Sequence, residues 1–322
     1  MGRLVAFASC LLGAAAALGA AATPDIFLGD SLRQLGLAPL ARAAGDAPLA
    51  ERHGAKGLPT FVAEPNKDYL LIEGVKVYLD DPIGQLRGKL TVTRIDYDKV
   101  IVPLAWRLPA ARPGSQRILL DPGHGGKDPG KVHGTLNYTE KAATLDTALR
   151  LKLLLEKRGF EVLLTRDKDV AIDLDDRAPM ATKAKADLFV SLHYNGGAAG
   201  DTTSAGIETY CLTPTGQHST NKASGRADLT PEPGNRHDLF NLQLAFNVQR
   251  QLLAQTGAED RGIRRARFAV LRTLTCPGIL IEGGFVSSRV EGAQIANAAY
   301  RQKLAQAIAD GIADYARLLR AK

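Results

Sequence analysis

From residue 117 onward, short apolar runs alternate with helical patterns, and this alternation constrains the fold more than any other feature of the chain. The apolar runs predict strands at 117–120, 161–165, 187–192, 206–212, 268–271 and 278–281. Apolar residues at helical spacing predict helices at 140–158, 174–185, 239–255 and 293–319. Strands that alternate with helices are typical of an α/β fold. We therefore predict a twisted, mostly parallel sheet with helices on both faces.

The chain before this region divides into two segments. Residues 23–58 are rich in Ala, Gly and Pro, with one weak helical pattern at Ser31–Ala44, and we expect a linker or a variable extension. Residues 59–108 contain short apolar or alternating runs at 69–72, 75–79, 89–93 and 100–104, separated by Gly, Asp and Pro. This pattern predicts a small β-rich N-terminal module before the main domain at 116–320. The module is either a spacer or an attachment to a cell wall or a partner.

The first 22 residues have the layout of a secretory signal peptide. Arg3 precedes an apolar run that continues from Leu4 to Ala22 and ends in three alanines. A positive start, an apolar centre and small residues at the cleavage site define such a signal. A transmembrane anchor is the alternative, but an alanine-rich run drives insertion weakly. We predict cleavage near Ala22, no stable membrane span afterwards, and a periplasmic or cell-wall-associated protein.

The net charge of +7 indicates a basic surface but not its partner. Such a surface attracts nucleic acid, anionic lipid or an acidic polymer, or is simply solvated. Because export separates the protein from nucleic acid, we expect no nucleic-acid partner. Cys211 and Cys276 remain in the exported chain, either as a disulfide or as two separate buried thiols.

Three residues capable of metal or acid–base chemistry follow three separate predicted strands. His124 lies in the turn Asp121-Pro122-Gly123-His124-Gly125-Gly126, His193 follows the strand at 187–192, and Glu282 follows the strand at 278–281. Ligands bind at the carboxyl ends of strands in sheets of this kind. We therefore expect these three side chains to meet at one edge of the sheet.

Glu140 has two interpretations. With Asn137 as N-cap, it completes a capping box at the start of its helix. Alternatively it faces a metal together with His124 and His193, because two His and one Glu with an open position form a hydrolytic zinc site. Zinc there lowers the pKa of a bound water to about 7, and a further carboxylate serves as general base and acid. His133, in the loop before Glu140, is a weaker candidate ligand.

Several motifs together resemble the zinc-dependent N-acetylmuramoyl-L-alanine amidases. They are ILLDPGHGGKDPG at 118–130, Glu140 at the head of its helix, LLTRD at 163–167, ADLFVSLHYN at 186–195 and IEGGF at 281–285. The resemblance covers residues 116–320. It implies that His124, Glu140 and His193 bind one Zn²⁺ and that Glu282 is the catalytic carboxylate. The implied substrate is peptidoglycan, cut between the lactyl group of N-acetylmuramic acid and L-alanine of the stem peptide.

Other positions bear on the substrate. Tyr194 and Ser288 depart from the family's usual small residue and Asn, which puts the fit of the substrate in question. Asn195, Arg264 and Arg267 are candidate substrate contacts, since Arg suits carboxylates, although the segment 261–267 also reads as a charged turn.

Residues 213–238 are polar and irregular, so we expect a solvated surface loop, or alternatively a lid over the cleft.

Two other functions remain open. A zinc peptidase that cuts within the stem peptide would share the metal chemistry. A non-catalytic wall-binding regulator is the second alternative, but it would be expected to lack at least one of the four residues. The sequence does not identify a regulatory protein partner.

Overall fold

The computed structural model describes residues 26–41, 50–105, 117–221 and 229–320. The predicted signal peptide lies outside these residues. None of the helices in the described ranges combines the length and apolar character needed to cross a membrane.

The described residues form strands in both the N-terminal and the main region. The strands are β1 (Ile26–Phe27), β2 (Ala38–Pro39), β3 (Glu51–Ala55), β4 (Leu58–Ala63), β5 (Tyr69–Ile72), β6 (Val75–Tyr78), β7 (Gly84–Leu86), β8 (Lys89–Val92), β9 (Arg117–Pro122), β10 (Glu161–Leu164), β11 (Leu188–Asn195), β12 (Ile207–Leu212), β13 (Asp260–Ala266) and β14 (Gly278–Phe285).

The helices are α1 (Leu28–Gln34), α2 (Arg94–Asp96), α3 (Val102–Ala105), α4 (Glu140–Glu156), α5 (Leu174–Lys183), α6 (Asp238–Thr256), α7 (Ala269–Arg272), α8 (Arg289–Ala296) and α9 (Ala298–Arg320). A π-helical turn at Tyr97–Ile101 joins α2 to α3, and a 3₁₀ turn at Pro233–His237 precedes α6.

Most strands belong to one large sheet, in the order β10-β9-β11-β14-β12-β13-β6-β5-β4-β3-β2. The pairs from β10 to β14 are parallel, β12 is antiparallel to β14, and β13 is parallel to both β12 and β6. Strands β6 to β2 pair antiparallel, and β1, β7 and β8 form a small separate sheet. The predicted α/β fold with a β-rich N-terminal module is confirmed, and its sheet is mixed.

Apolar side chains cover the large sheet on both faces. On one face, Val77 of β6 and Ile263 of β13 share a buried cluster with Val248 of α6 and Ile308 of α9. On the other face, a smaller cluster packs β11 and β14 against α5 and α7. His193 of β11 and Glu282 of β14, near the carboxyl ends of these strands, are only partly buried.

In the segment expected to be a linker or a variable extension, most of the described residues, 26–41 and 50–58, lie in secondary structure or turns. Strands β1 to β3, helix α1 and the start of β4 lie within residues 23–58. Leu28 and Leu32 of α1 are buried in the same cluster as Phe61 of β4, so the apolar residues of this segment contribute to the core. The composition did not reveal these elements, because they are short and their apolar residues pack against residues distant in sequence. The weak helical pattern at Ser31–Ala44 corresponds to a helix that begins and ends earlier, at Leu28–Gln34.

Two predicted strands are helical instead. Residues 100–104 belong to the helical run from Arg94 to Ala105, and most of residues 268–271 form α7. In the first case Thr93 caps the run, because its Oγ1 accepts a hydrogen bond from the Asp96 backbone at 3.2 Å. This cap favours a helix over the strand propensity of Val100 and Ile101, both of which are fully buried.

The segment 261–267 is not a turn. Its residues lie mostly in β13, which pairs with β12 on one side and β6 on the other. The buried Ile263 is followed here by Arg264 and Arg265, and these charges concealed the strand in the sequence.

The described part of residues 213–238 is not a solvated loop throughout. Gln217 is only 1% exposed, and its Nε2 donates to Asp96 Oδ1 at 3.1 Å. His218 contacts Asp80 through Nδ1 at 3.1 Å. The beginning of this segment therefore packs against the N-terminal module.

Candidate metal and catalytic site

His124, Glu140 and His193 come together at the carboxyl edge of the sheet. One ligand atom from each lies within 4.8 Å of the other two, the only such group of three or more in the described ranges. Glu140 Oε1 is 2.9 Å from His124 Nε2 and 3.1 Å from His193 Nδ1. Two imidazoles and a carboxylate are ligands that zinc prefers. The donor chemistry therefore fits the metal that the sequence predicts.

Two glycines make this close approach possible. A Cβ on Gly123 would lie 2.2 Å from the ring of His193, and a Cβ on Gly130 would lie 2.5 Å from Glu140 Oε2. Real side chains do not tolerate such distances, so any larger residue would displace the His193 ring or the carboxylate. The backbone around the site is thus shaped to let the three donors converge.

Glu140 does not form the capping box that was its alternative. Thr139, not Asn137, is the N-cap, and it makes no side-chain cap hydrogen bond. The Glu140 carboxylate instead accepts hydrogen bonds from the backbones of Lys131 at 2.9 Å and Tyr194 at 3.1 Å. Burial opposes its ionisation, but the hydrogen bonds and charges of the two imidazoles hold the pKa of Glu140 well below its ordinary value. An ionised carboxylate suits a metal ligand.

The loop that carries His124 is held in place by hydrogen bonds from two buried arginines. His124 has a positive φ of 61°, uncommon for a non-glycine residue. Arg177 donates to the His124 carbonyl at 3.0 Å and to Asp121 Oδ1 at 2.7 Å. Arg166 donates to the carbonyls of Pro122 at 2.9 Å and Gly123 at 2.8 Å. These bonds stabilise an unfavourable backbone conformation that aims the imidazole at the site.

Glu282 lies directly beside His193, since the two residues are paired across β14 and β11. Its Oε2 is buried and makes no hydrogen bond within the described residues. Burial raises the pKa of Glu282 well above its ordinary value, and the neighbouring carboxylates Glu140 and Glu208 raise it further. A carboxyl group with a raised pKa holds a proton more strongly, which suits a group that both accepts and donates a proton.

Two of the three candidate substrate contacts converge on Glu208, a residue that the sequence analysis did not identify. Asn195 Nδ2 donates to Glu208 Oε1 at 2.8 Å, and Arg264 Nε lies 2.9 Å from Glu208 Oε2. Arg267 is elsewhere and donates to the carbonyl of Thr230 at 3.2 Å. Glu208 was missed because its proximity to Glu282 depends on the antiparallel pairing of β12 with β14, which no local pattern reveals.

The two departures from the family pattern have structural roles. Tyr194 is buried on the opposite face from His193, where its hydroxyl lies 2.7 Å from Thr147 Oγ1. Ser288 caps α8 by accepting a hydrogen bond from the backbone of Glu291. Both side chains are buried, and their contacts give no support to the expected effect on substrate fit.

His133 is not a member of the ligand group. It is buried, and its Nδ1 accepts hydrogen bonds from the backbones of Thr135 at 3.3 Å and Leu136 at 3.2 Å. Cys211 and Cys276 are two separate buried thiols in the structure, which leaves the disulfide alternative without support.

Comparisons with known proteins agree on one family. The model of the N-acetylmuramoyl-L-alanine amidase family matches residues 118–314. N-acetylmuramoyl-L-alanine amidase AmiA of Escherichia coli K12 is 31% identical over 229 residues, which cover 63% of this chain and 76% of AmiA. The solved structure of N-acetylmuramoyl-L-alanine amidase AmiC2 of Nostoc punctiforme has a TM-score of 0.53 and 30% identity, and the match covers 63% of this chain and 98% of AmiC2.

Some relatives are much longer than the matched part. N-acetylmuramoyl-L-alanine amidase LytC of Bacillus subtilis is 34% identical over 203 residues, and the match covers 63% of this chain but only 36% of LytC. The chain thus spans about a third of the length of this relative.

Proposed function

Because the chain belongs to the N-acetylmuramoyl-L-alanine amidase family, we propose that it hydrolyses the amide between the lactyl group of N-acetylmuramic acid and L-alanine in peptidoglycan. The observation that carries this proposal is the convergence of His124, Glu140 and His193 at a sheet edge beside Glu282. The extracytoplasmic location of the substrate agrees with the signal-peptide pattern of the first 22 residues, and we propose that the chain is exported.

His124, Glu140 and His193 would hold one Zn²⁺ in this reaction. When bound, zinc supplies a Lewis acid for the scissile carbonyl and favours deprotonation of water. Asp128 Oδ2 lies 2.7 Å from His124 Nδ1 and orients the imidazole so that Nε2 faces the site. Gly123 and Gly130 keep space for the donors.

Glu282 moves the proton in the proposed mechanism. It removes a proton from the attacking water as general base, and it delivers that proton to the departing L-alanine nitrogen as general acid. The raised pKa of Glu282 supports the second step, because a weaker acid retains the proton until the nitrogen becomes basic. Among the described residues, no protein group hydrogen-bonds its buried Oε2, so this oxygen is not committed to a structural contact.

The experiment is a digest of purified sacculi with the full chain, with and without a chelator, analysed by mass spectrometry. An amidase releases intact stem peptides and leaves unsubstituted glycan. A zinc peptidase would instead leave L-alanine on the muramic acid, and this product would overturn the proposal. Undiminished activity after complete metal removal, verified by metal analysis, would refute the zinc site.

The role of Glu282 is tested by Glu282→Gln. We expect this variant to bind zinc like the wild type and to lose activity by roughly 10²–10⁴-fold, the usual contribution of a general base. Glu156→Gln is the control, because Glu156 is a partly exposed side chain at the far end of α4 that contacts Lys152. Retention of most of the wild-type rate by Glu282→Gln would contradict the assignment.

A further inference from the structure

A row of polar side chains continues from the candidate site across the sheet into the N-terminal module. His193 is paired with Glu282, Glu282 with Glu208, and Glu208 with Gly262. Residues paired directly across strands face the same side of a sheet. Arg264, two residues after Gly262, faces that side as well, and it contacts Tyr78 of β6. The row therefore joins the catalytic edge to a strand outside residues 118–314, which match the amidase family.

Two guanidinium groups share one carboxylate in this row. Arg261 Nε lies 3.3 Å and Arg264 Nε lies 2.9 Å from the same Glu208 Oε2. The Glu208 side chain is 6% exposed, whereas those of Arg261 and Arg264 are 32% and 18% exposed. The two guanidinium groups together carry one positive charge more than Glu208, and that of Arg261 is the more exposed to solvent. A positioned guanidinium of this kind is well suited to bind a carboxylate.

Tyr78 fixes the position of Arg264. The guanidinium lies over the Tyr78 ring, 4.2 Å from its centroid, and Nη2 donates to the Tyr78 hydroxyl at 2.9 Å. The ring packs against Gly262, where a Cβ would lie only 2.8 Å from Tyr78 Cε2. Tyr78 in strand β6 of the N-terminal module thus positions Arg264. In the row of polar residues, only Glu208 lies between Arg264 and Glu282. An immobilised side chain loses less entropy when it binds a ligand.

We propose that Arg261 and Arg264 form a carboxylate-binding subsite for the acidic part of the stem peptide, and that Tyr78 is its positioning residue. This inference rests on the proposed amidase function and extends it to the peptide side of the scissile bond. The ligand is the carboxylate of the D-glutamyl residue that follows L-alanine in the stem peptide. The N-terminal module thereby determines specificity instead of acting as a spacer.

The test compares two substrates that differ only in this group. One is a peptidoglycan disaccharide-tripeptide with a free α-carboxylate on the D-glutamyl residue, and the other carries the amide there. The full-length wild type should prefer the acid in kcat/KM by roughly tenfold or more, as expected for a charge-assisted hydrogen bond. Arg264→Gln and Tyr78→Ala should reduce this ratio towards one, mainly by lowering kcat/KM for the acid. Tyr78→Phe should keep most of the ratio, because its ring still covers the guanidinium.

Two matched variants control for general effects. Tyr69→Ala removes a neighbouring tyrosine of the same module, whose ring centroid is 5.9 Å from that of Tyr78. Within the described residues, the hydrogen bonds and cation–π contact of Arg264 do not include Tyr69. Arg94→Gln removes an exposed arginine that pairs with Asp98 instead. Both should keep the wild-type ratio. A purely structural role of Tyr78 would lower activity on both substrates equally, and an unchanged ratio would overturn its role.

Binding of the same two compounds to Glu282→Gln, measured by calorimetry, separates this inference from the proposed function. Tighter binding of the acid, lost in the double variant with Arg264→Gln, supports the subsite even if the wild type cleaves neither compound. Cleavage of both compounds at equal rates, together with equal affinities, overturns the subsite and leaves the amidase function intact.

Discussion

At the scale of single residues, the candidate metal site depends on groups that do not themselves reach the metal. Asp128 illustrates this best. It is four residues after His124, and its Oδ2 contacts the imidazole nitrogen that faces away from Glu140. Carboxylates in this position fix the orientation of a histidine ligand and increase its basicity.

Asp128→Asn should therefore weaken zinc binding by roughly 10–100-fold, the usual effect of losing such a partner. Competition with a fluorescent chelator measures the affinity. Asp169→Asn is the control, because Asp169 bonds to Gly126 and Lys141 and not to a candidate ligand. Equal zinc affinities of Asp128→Asn and the wild type would show that Asp128 does not orient His124.

The candidate ligands were predictable from sequence to different degrees. His124 and His193 follow apolar strands, so the rule that ligands meet at strand carboxyl ends placed them correctly at one edge. Glu140 was ambiguous because a helix start serves capping and metal binding equally well until its orientation is known. Glu208 and Tyr78 carried no local signal, since their importance arises from strand pairings distant in sequence.

At the scale of secondary-structure elements, the helical run after β8 depends on its cap. Thr93 accepts a hydrogen bond from the Asp96 backbone and donates one to Asp96 Oδ2 at 2.8 Å. Loss of an N-cap side chain costs about 1 kcal/mol of stability. Thr93→Ala should lower the free energy of unfolding by about this amount, whereas Thr93→Ser should retain it. Urea unfolding measures both, and equal losses in the two variants would contradict the cap.

Helices α4 and α9 are joined by ionic hydrogen bonds at Asp146. Arg150 Nε contacts its Oδ2 at 2.7 Å, and Arg301 of α9 also contacts that atom at 2.5 Å. Partial burial opposes ionisation, but these bonds outweigh it and lower the pKa of Asp146 below its ordinary value. A lowered pKa in the folded state stabilises the protein above the pKa of the unfolded state, and this contribution disappears as the pH falls through the folded pKa.

Asp146→Asn should therefore destabilise the protein near pH 7 by about 1 kcal/mol, after allowance for its partial exposure. The difference from the wild type should shrink as the pH falls below about 4. Urea unfolding at a series of pH values measures it. Asp98→Asn is the control, because Asp98 forms an exposed pair with Arg94 within one helical run. A difference that is constant from pH 7 to pH 3 would contradict the ionic origin.

The long helices were easier to predict than the short elements. In α4, Leu151 and Leu155 are fully buried, whereas Leu149 and Leu153, at an equally helical spacing, are 38% and 59% exposed. The run from Arg94 to Ala105 was misassigned because its β-branched residues favour a strand locally, while packing and the Thr93 cap favour a helix. The residues of β13 were misassigned because several of them are charged, which is typical of a turn. In the structure they form a strand that lies between β12 and β6.

At the scale of the whole molecule, the N-terminal module and the family domain share one sheet and one core. Strand β6 pairs with β13, and Lys76 of the module donates its backbone N–H to Asp260 Oδ2 at 2.7 Å. Phe61 of β4 is 1% exposed and belongs to the same buried cluster as Ile308 of α9. The sequence composition suggested two separate units, because neither segment contains a local pattern that shows which strands pair between them.

We therefore expect the full chain to unfold as one cooperative unit in calorimetry, with agreement between the calorimetric and van't Hoff enthalpies. Phe61→Ala should lower the stability of the whole chain by roughly 3–5 kcal/mol, the usual cost of removing a buried Phe. Leu86→Ala is the control, because Leu86 is 49% exposed. Two resolved transitions, of which Phe61→Ala shifts only one, would mean that the module folds independently.

The pairing of β6 with β13 also has a consequence for the order in which the chain assembles. Residues 75–78 are synthesised long before residues 260–266, and the contact between Lys76 and Asp260 spans 184 positions. Until residues 260–266 are synthesised, the edge of β6 that pairs with β13 has no partner strand. Long-range pairings of this kind slow folding. We therefore expect the pairing of β6 with β13, and the contact of Arg264 with Tyr78 that depends on it, to form late in folding.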